Sequence, residues 1–536
     1  MHAVVTNVWS KLCEEDGHVF SRVVIEKTRA CSLRPVACGP DRIQLLIEGV
    51  GVLATGTISV HDGLLEEIQI SSSPGPAVKL ELTLDHPAAH YLHDEAGLPH
   101  RTVVDIDRVS LRHLLTGRRI AVDPGHGGND TGFAGPVNLL EKDVVLAIAR
   151  DLGKLLAAAG AEPLFVRRND CNVPWSERAE RTKGAELYIA IHAGNGQGGC
   201  AVGFNPAAAE SANLARLIQE KLADKAHLGT REVCAFGHLA GLGALPAVEV
   251  EAVTITDWVE EGLLRSPTFR SKVAQGIFNG LVSYLWRKHG GDSKGKPAAV
   301  LFGQRPAPSG GCGHGVIPLR THLITEKDDI FSVLEQYIKG VAEPGDVIAL
   351  AESMVAITQG RAIPQQSVHP GPLAAFLSRF PGKDGSLATP HAMQLAIQET
   401  GAGRVILGAA AAALGRPFGR RGDFYRVAGR HLALIDDVAG TMWPYEKHII
   451  LGPHNPSQLA GELRERLGVE VAIVDVNDIR CVDILAATPG VDKRRVSRAL
   501  ASNPLGNDDQ QTPVAILKNM ARVPNESSRR IGTGGP

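Results

Sequence analysis

Asp123-Pro124-Gly125-His126-Gly127-Gly128 follows an apolar run that ends at Val122, and Leu187-Tyr188-Ile189-Ala190-Ile191 runs apolar into His192-Ala193. Each histidine therefore stands where a buried strand runs out into a cleft. Between them, Glu141-Lys142-Asp143 opens a segment whose Leu146, Ile148, Leu152 and Leu155 recur at helical spacing over 144–156. A lone histidine beside an apolar run is usually a satisfied core residue. The flanking glycines argue otherwise here, because they let backbone and a metal ion approach the imidazole closely. His126, Glu141 and His192 then make a two-imidazole, one-carboxylate set, which suits a catalytic zinc that keeps one position open for water.

Outward from these motifs the pattern alternates. Strands are expected at 120–122, 163–166, 187–191 and 247–253, and helices at 144–156, 175–183, 208–223 and 269–286. Strands alternating with helices predict an α/β unit with a mostly parallel sheet. Ligands of such sheets collect outside the carboxyl ends of the strands, where His126 and His192 both fall.

The three motifs resemble the zinc-dependent N-acetylmuramoyl-L-alanine amidases of the Amidase_3 type, over about residues 118–288. Pro246-Ala247-Val248-Glu249-Val250-Glu251 resembles the family's late strand, which ends in a catalytic glutamate. The resemblance implies that His126, Glu141 and His192 ligate zinc and that Glu251 is the general base and acid. The implied substrate is peptidoglycan, or a muropeptide, cut between the lactyl group of N-acetylmuramic acid and L-alanine. Glu249 shares a strand face with Glu251 and competes for the acid–base role. Ala190 stands where the family often has Ser, and Val253-Thr254 where it often has Gly-Phe. The chemistry suits these residues: zinc acidifies water and polarises the carbonyl, and a carboxylate carries the proton to the leaving amine.

A chain of 536 residues is long enough for about three domains. The reading is multidomain: a small antiparallel β domain at 1–115, the α/β amidase-like domain at 116–289, a linker at 290–315, an α+β ligase-like domain at 316–520, and a disordered tail at 521–536. In the first, Val78-Lys79-Leu80-Glu81-Leu82-Thr83-Leu84 alternates at period two, as a half-buried strand does. Its strand rhythm and the Phe20–Glu26 run resemble the AMIN domain that directs such amidases to the wall; a packing domain of unknown partner is the alternative. Net charge of −2 offers nucleic acid no electrostatic footing. The eight cysteines include no Cys-x-x-Cys pair, so neither a zinc ribbon nor a disulfide scaffold is expected. No stretch approaches the ~18 apolar residues of a membrane span. Residues 1–14 lack a basic segment followed by an apolar run, so no export signal is expected and the sequence places the chain in the cytoplasm. The implied substrate lies outside it.

The third region carries Gly345-Asp346-Val347-Ile348-Ala349-Leu350-Ala351-Glu352, read as a strand continuing to Gln359-Gly360-Arg361, and Gly468-Val469-Glu470-Val471-Ala472-Ile473-Val474-Asp475. With Val316-Ile317-Pro318-Leu319, Gly419-Arg420-Arg421-Gly422-Asp423-Phe424-Tyr425 and Leu434-Ile435-Asp436-Asp437, it resembles the coenzyme F-420 gamma-glutamyl ligases. That implies Mg or Mn and GTP. Asp436 matches the family's first metal aspartate, and Asn477, flanked by Asp475 and Asp478, falls near the second. Asp436, Asp437, Asp475 and Asp478 are therefore a candidate second metal site. Ser353 replaces the family's phosphate-facing lysine. Arg416, Arg420 and Arg421 make either an anion-binding loop or a solvated basic turn. The expectation is that 316–520 folds independently and contributes nothing to amide cleavage. Two rival classes stay open: a ligase with the amidase region as passenger, and a non-catalytic wall-binding protein. Oligomeric state is not readable from the sequence.

Overall fold

The computed structural model describes residues 3–15, 18–31, 33–39, 41–290, 303–304, 315–382, 385–420, 422–438, 441, 443–477, 481–506 and 510–521. Most of the linker expected at 290–315, the tail from 522, Arg421 and Asp478 lie outside them.

The amino-terminal region contains two sheets rather than one. Four antiparallel strands, His90–Glu95, His100–Asp107, His18–Lys27 and Ala3–Glu15, run side by side, with Val50–Val52 added in parallel to the last and Gly303–Gln304 in parallel to the first. A second, fully antiparallel sheet orders Leu33–Cys38, Arg42–Glu48, Ala77–Leu84, Leu65–Ser73 and Gly56–Ser59. The period-two strand behaves as its pattern requires: Val78, Leu80, Leu82 and Leu84 are buried while Lys79, Glu81 and Thr83 are only partly covered.

Four parallel strands form the centre of the second region, in the order Glu162–Phe165, Arg119–Pro124, Leu187–Gly194 and Ala247–Thr254. Ala201–Phe204 then pairs antiparallel with the last, and Cys234–Ala235 closes the edge. Helices Glu141–Ala158 and Ser211–Ala226 pack on this sheet, and Pro267–Leu285 packs against both helices. The core is continuous with the first region: Leu80 and Ile68 belong to the same buried cluster as Val122, Leu152 and Leu281. Polar ties cross the same boundary, from Asn279 Nδ2 to the His61 carbonyl at 2.7 Å and from Ser283 to Asp85 at 2.8 Å.

A five-stranded mixed sheet organises the third region, ordered Val316–Leu319, Val514–Leu517, Val347–Ala351, Glu470–Val476 and Val482–Ala487. The chain does not extend beyond Ala351 as a strand; Glu352–Thr358 is a helix. Independence of this region meets contrary contacts. Arg265 Nη2 of the second region lies 2.6 Å from Asp437 Oδ2, both side chains almost fully buried, and Trp258 meets His391 edge-on. Removing one partner from such a pair strands a buried charge at a cost of about 3–5 kcal/mol.

Candidate metal centre

Glu141 is the first residue of its helix, fully buried, with its carboxylate at the positive end of the helix dipole. Oε1 accepts a hydrogen bond from the Ala193 amide at 3.0 Å and lies 3.0 Å from His192 Nδ1. Oε2 accepts from the Phe133 amide at 2.9 Å and lies 3.2 Å from His126 Nε2. Burial alone would raise this carboxyl. The contacts with His126 and His192 and the two amides outweigh it and hold the group far below the ordinary carboxylate range.

His126 sits at φ +61°, a left-handed conformation that a residue with a side chain adopts only when its surroundings impose it. Asp130 is the orienting partner, with both carboxylate oxygens 2.9 Å from His126 Nδ1. The glycines around it are obligatory. A Cβ on Gly125 would lie 2.2 Å from His192 Cε1, and one on Gly132 would lie 2.5 Å from Glu141 Oε2 and 2.7 Å from His126 Cδ2.

Two arginines that the sequence reading passed over hold this loop. Arg167, almost wholly buried, donates to the carbonyls of Pro124 at 2.9 Å, Gly125 at 2.7 Å and Lys142 at 2.8 Å. Arg178 donates to the His126 carbonyl at 2.8 Å and pairs with buried Asp123, which Tyr188 also engages. Neither stands in a motif: Arg167 follows a strand end and Arg178 lies in a polar helix, so only the folded chain reveals their targets.

Donor atoms of His126, Glu141 and His192 lie within 4.8 Å of one another, and among the described residues no other group of three does so. Two imidazoles, one carboxylate, an orienting aspartate and side-chain-free glycine walls fit a zinc ion, whose ligand bonds run about 2.0–2.2 Å. Glu251 is the strand neighbour of His192 and bonds Arg231 at 2.7 Å. Glu249 lies 4.0 Å from His192 Nε2 and 2.8 Å from His238 Nε2. Both candidate carboxylates therefore border the centre, each beside its own cation or imidazole.

The chain belongs to the N-acetylmuramoyl-L-alanine amidase family. Residues 120–283 match the family model described by that name, and residues 318–491 match the one described as F420-0:gamma-glutamyl ligase. The chain is 31% identical over 221 residues to the N-acetylmuramoyl-L-alanine amidase AmiA of Salmonella typhimurium, covering 76% of that protein and 31% of this one. It is 36% identical over 186 residues to the amidase LytC of Bacillus subtilis, but spans only 37% of LytC's length and 32% of its own. Among solved structures, the amidase AmiC2 of Nostoc punctiforme aligns at 25% identity with a TM-score of 0.31, over 32% of this chain and 99% of that one.

Of the four acids expected to form a metal site in the ligase-like region, Asp478 lies outside the described residues. Asp437 turns away to Arg265, with Thr389 donating a second hydrogen bond at 3.2 Å. This corrects its place among the metal aspartates: a buried carboxylate takes the nearest buried cation. Glu352 and Asp483 lie within the field of Asp436 and Asp475, beside the acids expected there. Crowding by protein, then the charges of Asp436, Asp475 and Asp483, push the Glu352 carboxyl up to about 9. Asp436 is reached by water, yet the surrounding protein, then the charges of Asp475 and Asp437, raise it to about 7. Of the basic loop, Arg420 pairs with Asp423 at 3.2 Å and Arg416 is exposed. No helix among the described residues is long and apolar enough to cross a membrane.

Proposed function

We propose that this chain is a zinc-dependent hydrolase of the amide bond between N-acetylmuramic acid and L-alanine in peptidoglycan. The convergence of His126, Glu141 and His192 at the carboxyl edge of a parallel sheet carries the reading, and the relatives' names support it. When bound, zinc supplies what neutral amide hydrolysis lacks: water acidified to a pKa of about 7 and a cation beside the carbonyl oxygen.

The chain's own groups do the rest. Glu141 holds both imidazoles in place through its two oxygens. Asp130 fixes the orientation of His126. Glu251 takes the proton of the attacking water and delivers it to the leaving amine, and Arg231, at 2.7 Å, holds it in place. Glu249 with His238 is the rival for that role. The amino-terminal sheets serve as the wall-directing module, placing the activity outside the cytoplasm.

A muropeptide digest with metal analysis tests the assignment. His126→Ala should lose about one zinc per chain and all release of stem peptide. Glu251→Gln should keep zinc and lose turnover by a factor of about 10² to 10⁴. Full zinc in His126→Ala defeats the metal assignment. Loss of turnover in Glu249→Gln, with Glu251→Gln active, moves the acid–base role two residues earlier.

The match over 318–491 favours a second reading, glutamyl transfer using GTP and Mg or Mn. Two features oppose it: Asp437 is engaged by Arg265, and Ser353 follows Glu352 where the resemblance expects lysine. Incorporation of glutamate that depends on GTP would promote it. A zinc-free protein that still binds sacculi would instead favour a non-catalytic wall binder.

A further inference from the structure

The helix Trp258–Arg265 connects the ligase-like region to the metal centre. Its Glu261, fully buried, accepts hydrogen bonds from the Val137 amide, 3.0 Å from each oxygen, and from the Leu139 amide at 3.3 Å. Those amides belong to a tight turn, closed by Gly135 N to Leu139 O at 2.9 Å and Asn138 N to Gly135 O at 2.9 Å. Gly135 leaves room for the carboxylate: a Cβ there would fall 2.2 Å from Glu261 Oε1. The turn runs directly into Leu140 and the metal-ligand candidate Glu141. Its strand-like return is fixed by Glu141 N to Phe133 O at 2.9 Å.

One helical turn after Glu261 on the same helix face stands Arg265, whose guanidinium is buried and 2.6 Å from Asp437. Arg265 thus has two buried carboxylates within its field, Glu261 from its own helix and Asp437 from the ligase-like region. Burying a guanidinium is costly unless its charge is paired or its N–H groups are hydrogen-bonded. Without the Asp437 carboxylate, the charge on Arg265 draws on Glu261, one helical turn away and already within its field, and an oxygen given to Arg265 is lost to the turn amides.

We propose that Asp437 is a positioning residue for the amidase centre: by engaging Arg265 it leaves Glu261 to hold the 135–139 turn, and through that turn it sets Glu141. An aspartate at a position expected to bind metal for ligase chemistry acts instead on the metal site of the other catalytic region. Asp437 touches neither substrate nor ligand atoms; it acts through Arg265 and Glu261. The inference rests on the zinc-amidase reading for its consequence, and on the hydrogen bonds above for its mechanism.

The test uses the full chain with zinc alone as probe. Zinc affinity is read by competition with a chromophoric chelator, and hydrogen exchange is read at the Val137 and Leu139 amides. Asp437→Asn should weaken zinc by up to about 10-fold, the low end of the loss for groups bonded directly to a metal ligand, since Asp437 acts through two further residues, and should speed exchange at both amides. Adding Arg265→Gln to Asp437→Asn removes the competing cation and should restore both readouts, which a purely structural interface would not do. Wild-type zinc affinity and exchange in Asp437→Asn would overturn the proposal, as would a double variant no better than the single. If Asp437→Asn does not fold, Thr389→Val, which removes one hydrogen bond from Asp437 without stranding a charge, should still speed exchange at Val137 and Leu139; unchanged exchange overturns the idea. A wild-type chain that binds no zinc defeats the functional reading, while the exchange measurement still judges the coupling.

Discussion

At Gly125 a single methyl group decides whether His192 has room. Its carbon would lie 2.2 Å from Cε1 and 2.5 Å from Nε2 of the imidazole, well inside any real contact. The ring cannot retreat without leaving Glu141, 3.0 Å from its other nitrogen. Gly125→Ala is therefore expected to destabilise the chain by about 1–3 kcal/mol through overpacking, and to weaken zinc more than it lowers thermal stability. Chelator competition beside a melting curve checks this. Equal zinc affinity in mutant and wild type would mean that the ring adapts and that the glycine serves only the turn. The same residue-scale logic separates Asp436 from Asp437. Adjacent in sequence, one lies in the field of Asp475 and the other pairs with a buried arginine.

Helix packing shows how elements carry the site. The helices Ser211–Ala226 and Pro267–Leu285 approach closely because Gly276 and Gly280 offer no side chains: a Cβ on Gly280 would lie 2.3 Å from Ile218 Cα, and one on Gly276 2.6 Å from Leu222 Cα. Backbone cannot yield as a flexible side chain can. Gly280→Ala, although a better helix former by about 1 kcal/mol, should lower stability, because the enforced separation outweighs propensity. A rise in melting temperature for Gly280→Ala would show that the helices slide apart at no cost. Zinc affinity should change little, since neither helix supplies a ligand. The Glu141 helix behaves differently, because its first residue is the proposed ligand and its N-terminal dipole favours the carboxylate.

Across the whole molecule, pH reads the two ionisable regions separately. The contact with Glu141 raises His126; burial works against His192, but Glu141 and Glu249 raise it too. A histidine raised in the folded state stabilises the metal-free fold below its unfolded pKa of about 6.5, and that contribution is lost as pH climbs through the raised value. Zinc needs both rings deprotonated. The increment in melting temperature given by zinc should accordingly grow from pH 6 to pH 8, and a flat increment would contradict the ligand set. In the ligase-like region Glu352 and Asp436 are carboxyls raised to about 9 and about 7. Each has a higher pKa folded than unfolded, so stability falls as pH rises from about 4 through those values. Glu352→Gln should flatten the decline between pH 7 and 9, measured by thermal melts without divalent metal.

Much of the centre was legible in the sequence because its signals are local. An apolar run ending in Pro-Gly-His-Gly-Gly or in Ile-His-Ala names both the strand and the residue at its mouth, and Glu141 opens a helix with clear apolar spacing. The alternation of strands and helices was enough for a parallel sheet, and parallel pairing of Arg119–Pro124, Leu187–Gly194 and Ala247–Thr254 follows. Long-range partners were not legible. Arg167, Arg178 and Glu261 sit in unremarkable polar stretches, and what they grip lies 42, 52 and 124 positions away. The ligase-like acids show the same limit: sequence grouped Asp436 with Asp437 by adjacency, whereas folding sent Asp437 172 positions back to Arg265. Local periodicity and motif chemistry determine which residues can be ligands and which elements carry them. Which buried charge meets which depends on desolvation and proximity, and only the assembled tertiary structure decides that.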